Sequence, residues 1–114
     1  MNGAIIPVNN DPTDFTTDGL TFTNCTYQDG GYCVQGNLVL VYIRVRADVN
    51  TSFTVQGFPK AKGATGVGGW PPRMTFQADS PVYLQARTSD TYIFTYGTVT
   101  QNTVYGIATV YLKG

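Results

Sequence analysis

The sequence predicts an all-β chain, an antiparallel β-sandwich with jelly-roll-like connections, and three observations carry that reading. Residues that suit a pleated, half-buried surface are abundant, with 17 Thr, 12 Val and 8 Tyr. Glu, a strong helix former, is absent, and no helical period persists beyond a turn. Short apolar runs are instead punctuated by Gly, Pro, Asn and Asp. At 114 residues and 12.4 kDa the chain is one domain's worth. Residues 20–114 are expected to form that sandwich, with residues 1–19 as an extended, turn-rich lead-in.

Residues 20–27 read as the first strand, closed by a turn at Asp29-Gly30-Gly31, because Gly tolerates the positive φ that tight hairpins need. Residues 32–34 resume the strand, and Gly36-Asn37 marks a second tight turn or a bulge. The strongest strand is 38–46. Its odd positions Val39, Val41, Ile43 and Val45 are all β-branched and should face the core. Its even positions are apolar at Leu38, Leu40 and Tyr42 and then cationic at Arg44 and Arg46. The outer side of a monomeric sandwich strand is normally polar throughout, so half of this face is expected to be covered by a loop, a sheet layer or another subunit.

Residues 52–56 form a short strand. Residues 57–72 hold five Gly and three Pro and read as a long surface loop. Residues 74–76, 82–87, 91–96 and 104–112 complete the strands, the last three expected as an antiparallel meander. The final strand is again two-faced, with Val104, Ala108, Val110 and Leu112 on one side and Tyr105, Ile107 and Tyr111 on the other.

Composition excludes several function classes. Seven basic residues balance seven acidic ones, all Asp, so no electrostatic footprint points to nucleic acid or an anionic membrane. Without His there is no Ser-His-Asp or Cys-His nucleophile, no HExxH zinc site and no imidazole base. The carboxylates of Asp29, Asp79 and Asp90 sit near expected turns, where Asp bonds its own backbone, and a small sandwich leaves little room for a glycosidase cleft. No enzyme is expected. The longest apolar run, 38–43, is far too short to span a membrane. The first residues show neither a basic segment nor a long apolar stretch, so no secretory signal is expected, and delivery by assembly or a longer parent chain both stay open.

Cys25 and Cys33 flank the expected Asp29-Gly30 turn. A three-residue loop would set them opposite one another within disulfide reach, and a two-residue loop would put them on opposite faces, so bridged and free states both stay open. The segment 62–69 is Gly-rich but lacks the Gly-Lys-Ser/Thr of a phosphate loop, and no helix follows it. Its neighbour Trp70 is the candidate ligand-binding residue, with Arg73 beside it and Tyr32 as a third, since exposed aromatics anchor contacts on mobile loops. Residues 9–19 are rich in oxygen donors but do not follow a calcium loop and read as turns. No cofactor or metal is expected.

Taken in order, the Gly36-Asn37 turn, the β-branched strand 38–45, Val55-Gln56-Gly57-Phe58-Pro59, a Gly-rich loop and the Tyr-rich 92–96 and 104–112 resemble the small C-terminal β-domains of bacteriophage tail-fibre, baseplate and head-fibre proteins. The usual Leu-Pro of those domains stands here as Phe58-Pro59. The resemblance, over residues 32–112, implies a homotrimeric virion-surface domain that contacts a host surface saccharide or protein receptor. It also implies subunit contacts at or near Leu38, Leu40, Tyr42, Tyr105, Ile107 and Tyr111. Two alternatives share the fold: a monomeric carbohydrate-binding module of a secreted or cell-surface bacterial glycosidase or adhesin, and a capsid-decoration domain with no ligand.

Overall fold

A computed structural model describes residues 14–63 and 82–114. Its strands are β1 (Thr21–Thr23), β2 (Cys25–Gln35), β3 (Leu38–Ala47), β4 (Thr54–Phe58), β5 (Val82–Ala86), β6 (Thr91–Thr95) and β7 (Val104–Leu112). They form two antiparallel sheets packed together, one of four strands in the order β1-β4-β6-β5 and one of three in the order β2-β3-β7. The all-β sandwich read from the sequence is the observed architecture. The expected strand at 74–76 lies outside the described residues.

β3 is the centre of the smaller sheet. Val39, Val41, Ile43 and Val45 are at most 2% exposed and meet Val55, Phe58, Leu84 and Ile93 from the opposite sheet in one core. Their β-branched side chains suit the pleat, and their burial supplies the hydrophobic drive at roughly 1.5–3 kcal/mol per large side chain. Two inward positions of β6 are polar, Thr91 and Thr95, and both are satisfied. The Thr91 hydroxyl accepts from the Ala61 amide at 3.0 Å, and the Thr95 hydroxyl accepts from the Phe53 amide at 3.0 Å. These two bonds tie the flanking connections to the core strand.

The structure corrects two expectations about connectivity. Asp29-Gly30-Gly31 is not a turn: β2 runs unbroken through it, with a bulge between Tyr27 and Asp29. Gly30, at φ +83°, comes so close to β3 that a Cβ there would lie 1.9 Å from the Tyr42 carbonyl oxygen. The same freedom at positive φ serves turns and bulges alike. The second correction concerns the meander. β5 and β6 do form a hairpin, but β7 crosses to the other sheet and pairs with β3 from Leu38↔Leu112 to Arg46↔Val104. Strand length explains the choice. Nine residues of β7 find a full partner in the ten-residue β3, whereas the five-residue β5 and β6 would leave almost half its ladder unpaired.

Residues 14–20 lie along the edge of β2. Thr16 and Tyr32 exchange both backbone hydrogen bonds, at 2.9 and 3.0 Å, so the described part of the lead-in blunts that edge. On the other sheet, β4 bulges between Gln56 and Phe58 where this segment passes. A Cβ on Gly57, at φ +110°, would lie 2.1 Å from the Gly19 carbonyl oxygen.

Candidate functional site

The register of β3 against its neighbours builds the outer face of the three-stranded sheet. Leu38 stands opposite Leu112, Leu40 opposite Val110, and Tyr42 opposite Ala108. On the β2 side, Cys33 faces Leu40 and Gly31 faces Tyr42. Leu38, Val110 and Leu112 are 38%, 57% and 47% exposed, so this is a continuous aliphatic patch open to solvent. Phe15 from the lead-in lies against it and, with Leu40, Tyr42, Ala108 and Val110, bounds a shallow concavity of about 430 Å³.

Further along β3 the same face turns ionic. Arg44 lies opposite Asp29, and Arg46 reaches Asp48 at 3.4 Å and the Thr26 hydroxyl at 3.3 Å; that hydroxyl donates to Asp48 at 2.7 Å. The break in character between Tyr42 and Arg44 marks where the patch ends.

Of the residues expected at a subunit contact, the structure brings Leu38, Leu40 and Tyr42 together on this face. It places Tyr105, Ile107 and Tyr111 on the opposite side of β7. Tyr105 and Ile107 are 3% and 2% exposed within the chain's own core, so they offer no surface to a partner. Tyr105 packs 5.7 Å from Phe53 and its hydroxyl accepts from the Thr100 amide. Tyr111 donates to the Pro59 carbonyl at 2.6 Å, and burial pushes its pKa well up. Both sides of β7 are apolar in the sequence, and the larger rings fill the interior. Val110, Leu112 and Ala108 are therefore the outer partners of β3, a pairing visible only once register is known.

Trp70 and Arg73 lie outside the described residues. Tyr32 points inward from the edge strand β2. Its ring meets Phe58 edge-on at 5.9 Å, its hydroxyl donates to the Asp18 carbonyl at 2.8 Å, and burial raises its pKa. Its position is that of a clamp between the lead-in and the core.

The bulge also settles the cysteines' geometry. Both lie on β2, eight residues apart and roughly 26 Å along an extended strand, far beyond disulfide reach. Both are free thiols. Because the bulge reverses the alternation, Cys25 is buried in the core while Cys33 lies opposite Leu40 on the outer face. Burial, with the Asp48 charge adding to it, pushes the Cys25 thiol up to about 12.

The outer face of the four-stranded sheet has a different make-up. Tyr83 of β5 stacks on Phe94 of β6 with centroids 5.5 Å apart, and Phe94 lies 5.7 Å from Tyr92. Tyr96, just past β6, meets Tyr83 edge-on at 6.2 Å and is 72% exposed. The Arg87 guanidinium lies 4.4 Å above the Tyr92 ring, and the Tyr92 hydroxyl donates to the Gln85 side-chain carbonyl. The sequence signal for this row was present: aromatics at 92, 94 and 96 recur every second residue and so share one face of a strand.

Among the described residues no group of three or more His, Cys, Asp or Glu side chains is placed to hold a metal ion. No protein-family model matches the chain, and no curated protein sequence and no solved structure matches it.

Proposed function

We propose that this chain is an assembly and attachment domain of a bacteriophage virion appendage, a tail or head fibre, working as a homotrimer. The observation that carries the reading is the aliphatic face of Leu38, Leu40, Tyr42, Ala108, Val110 and Leu112 on the three-stranded sheet. Contiguous apolar surface of this kind marks an interaction site, and the depletion of charge over it matches the centre of a subunit interface. Its ionic border at Arg44, Arg46 and Asp48 has the polar character of an interface rim. The order of sequence features shared with phage fibre domains supports the virion setting, and three copies would multiply weak contacts with a host surface saccharide into useful avidity.

Light scattering on a sizing column at low micromolar protein tests the assembly. The trimer predicts three times 12.4 kDa, about 37 kDa. A clean 12.4 kDa species rejects it. That outcome favours the second reading, a monomeric carbohydrate-binding module, for which the exposed aromatic row on the other sheet is the specific support.

A further inference from the structure

We infer that the outer face of β5 and β6 is a saccharide-binding platform, for a linear chain of equatorially linked pyranose units, with Tyr96 as its anchor and Tyr92 and Arg87 at its far end. This deepens the attachment half of the function proposed above by giving it a site, and it does so away from the Gly-rich segment around Trp70.

Three features of the face carry the inference. The first is its shape. Tyr92 and Phe94 alternate on β6, and Tyr96, just past the end of the strand, joins them through Tyr83 of β5. Tyr92, Phe94, Tyr83 and Tyr96 thus form one continuous band of rings with neighbouring centroids 5.7, 5.5 and 6.2 Å apart. A continuous band of rings across two strands suits an extended saccharide ribbon better than a coiled one. The second is its surface chemistry. An equatorially substituted pyranose shows a flat patch of weakly positive axial C–H groups, which is complementary to the electron-rich face of an aromatic ring. Tyr96 is 72% exposed and nearly perpendicular to Tyr83, which braces it from the side.

The third feature is the polar company the rings keep. Arg87 covers Tyr92 at 4.4 Å and meets Asp90 through Nε at 3.3 Å, so its charge is balanced locally while its Nη groups retain N–H donors for hydroxyls. The Tyr92 hydroxyl donates to Gln85, which leaves its oxygen as an acceptor. Thr54 and Gln56 continue the face onto β4 opposite Phe94 and Tyr92. Rings alternating with hydroxyl, amide and guanidinium groups, and a locally neutral charge balance, match an uncharged polyhydroxylated ligand. An apolar protein partner would find the aliphatic face of the other sheet more complementary. Tyr side chains also give this contact area at low conformational cost.

The test is calorimetric titration of the whole chain with N-acetylchitotetraose and cellotetraose, and with maltotetraose as the coiled comparison. The expected result is binding of at least one of the two straight tetrasaccharides, and weaker binding of maltotetraose. Tyr96→Ala should weaken the binding about tenfold, the loss expected of a single anchor residue, and Tyr96→Phe should retain it. Since Tyr96 is mostly exposed, circular dichroism of Tyr96→Ala should match the parent. Binding of neither straight tetrasaccharide at millimolar concentration overturns the inference. So does binding that Tyr96→Ala and Arg87→Gln leave unchanged. Light scattering on the same samples keeps the two proposals apart: a 37 kDa species without saccharide binding sinks the platform alone, and a 12.4 kDa species that binds sinks the trimer alone.

Discussion

The two outer faces of the sandwich are both rich in apolar atoms, yet their chemistry differs. On the three-stranded sheet the exposed groups are branched and aliphatic, Leu38, Val110 and Leu112 with Ala108 between them. Such side chains have no direction to their attraction, so they gain most from a matching apolar surface that excludes water. On the four-stranded sheet the exposed groups are rings, accompanied by Arg87, Gln85 and tyrosine hydroxyls. These combine apolar area with directional donors and acceptors, which is the make-up of a surface that must recognise something wet and reversible. On the reading proposed above, one fold separates assembly from recognition by sheet, and each assignment can be broken independently.

The largest effects come from two glycines beside strand bulges, Gly30 against its neighbour strand β3 and Gly57 against the lead-in. Gly57→Ala drives a Cβ to 2.1 Å from the Gly19 carbonyl, and Gly30→Ala drives one to 1.9 Å from that of Tyr42, both against backbone and both at positive φ. Each should cost about 3–5 kcal/mol, seen as a large drop in the urea midpoint. A change below about 1 kcal/mol at either position would mean that the bulge there relaxes without cost, and that the lead-in or strand β3 is not held as described.

Next comes the aliphatic face. Val110→Asp places a carboxylate at its centre on a residue 57% exposed in the single chain. The fold should therefore change by no more than about 0.5 kcal/mol, as for other surface substitutions. The assembly, in contrast, would have to bury three like charges, so the mass should fall from about 37 kDa to 12.4 kDa. A trimer that survives this substitution places its interface elsewhere on the chain. Tyr96→Ala is the counterpart on the other face, and it should leave the mass untouched.

How much of this was legible beforehand differs by element. The inward row of β3 was fully readable, because four β-branched residues at alternate positions admit one orientation toward a core. The aliphatic half of its outer face was readable for the same reason. β7 was not: Val104 to Leu112 is apolar on both sides, and only pairing with β3, together with the volume the core needs opposite Phe53, turns Tyr105 and Ile107 inward. The Asp29-Gly30-Gly31 segment misled because a glycine that permits a hairpin permits a bulge equally well. That one difference moved the two cysteines from opposite ends of a supposed hairpin to opposite faces of a single strand. The aromatic row at 92, 94 and 96 was in plain view, but its meaning depended on knowing that β6 is interior to its sheet, so that its outer side forms a broad platform rather than an edge.

Alkaline pH gives a milder test of what lies inside. Cys25 stays a neutral thiol in the folded chain up to about 12, against an ordinary value of 9.0, and Tyr111 and Tyr32 are shifted in the same direction from 10.0. A raised folded-state pKa contributes stability that is complete below the unfolded value and lost as pH climbs toward the folded one. Stability should therefore be level up to about pH 9 and decline between there and pH 12. Cys25→Ala and Tyr111→Phe should each flatten the decline, whatever they do to the midpoint at neutral pH. An unchanged slope in both would place these groups in water.

The smallest effect, and the sharpest on the comparison, is the reactivity of the second thiol. Cys25 is buried and held neutral, so a thiol reagent at neutral pH should leave it unmodified while the chain is folded. Cys33 lies opposite Leu40 on the aliphatic face and is half-buried in the single chain, so in the monomer it should react, and Cys33→Ser should abolish labelling. If that face is the subunit interface, assembly covers Cys33 as well. Labelling should then be slow at concentrations where the trimer persists, accelerate on dilution, and be fast at every concentration in Val110→Asp. A labelling rate that ignores both dilution and Val110→Asp would show that nothing covers this face.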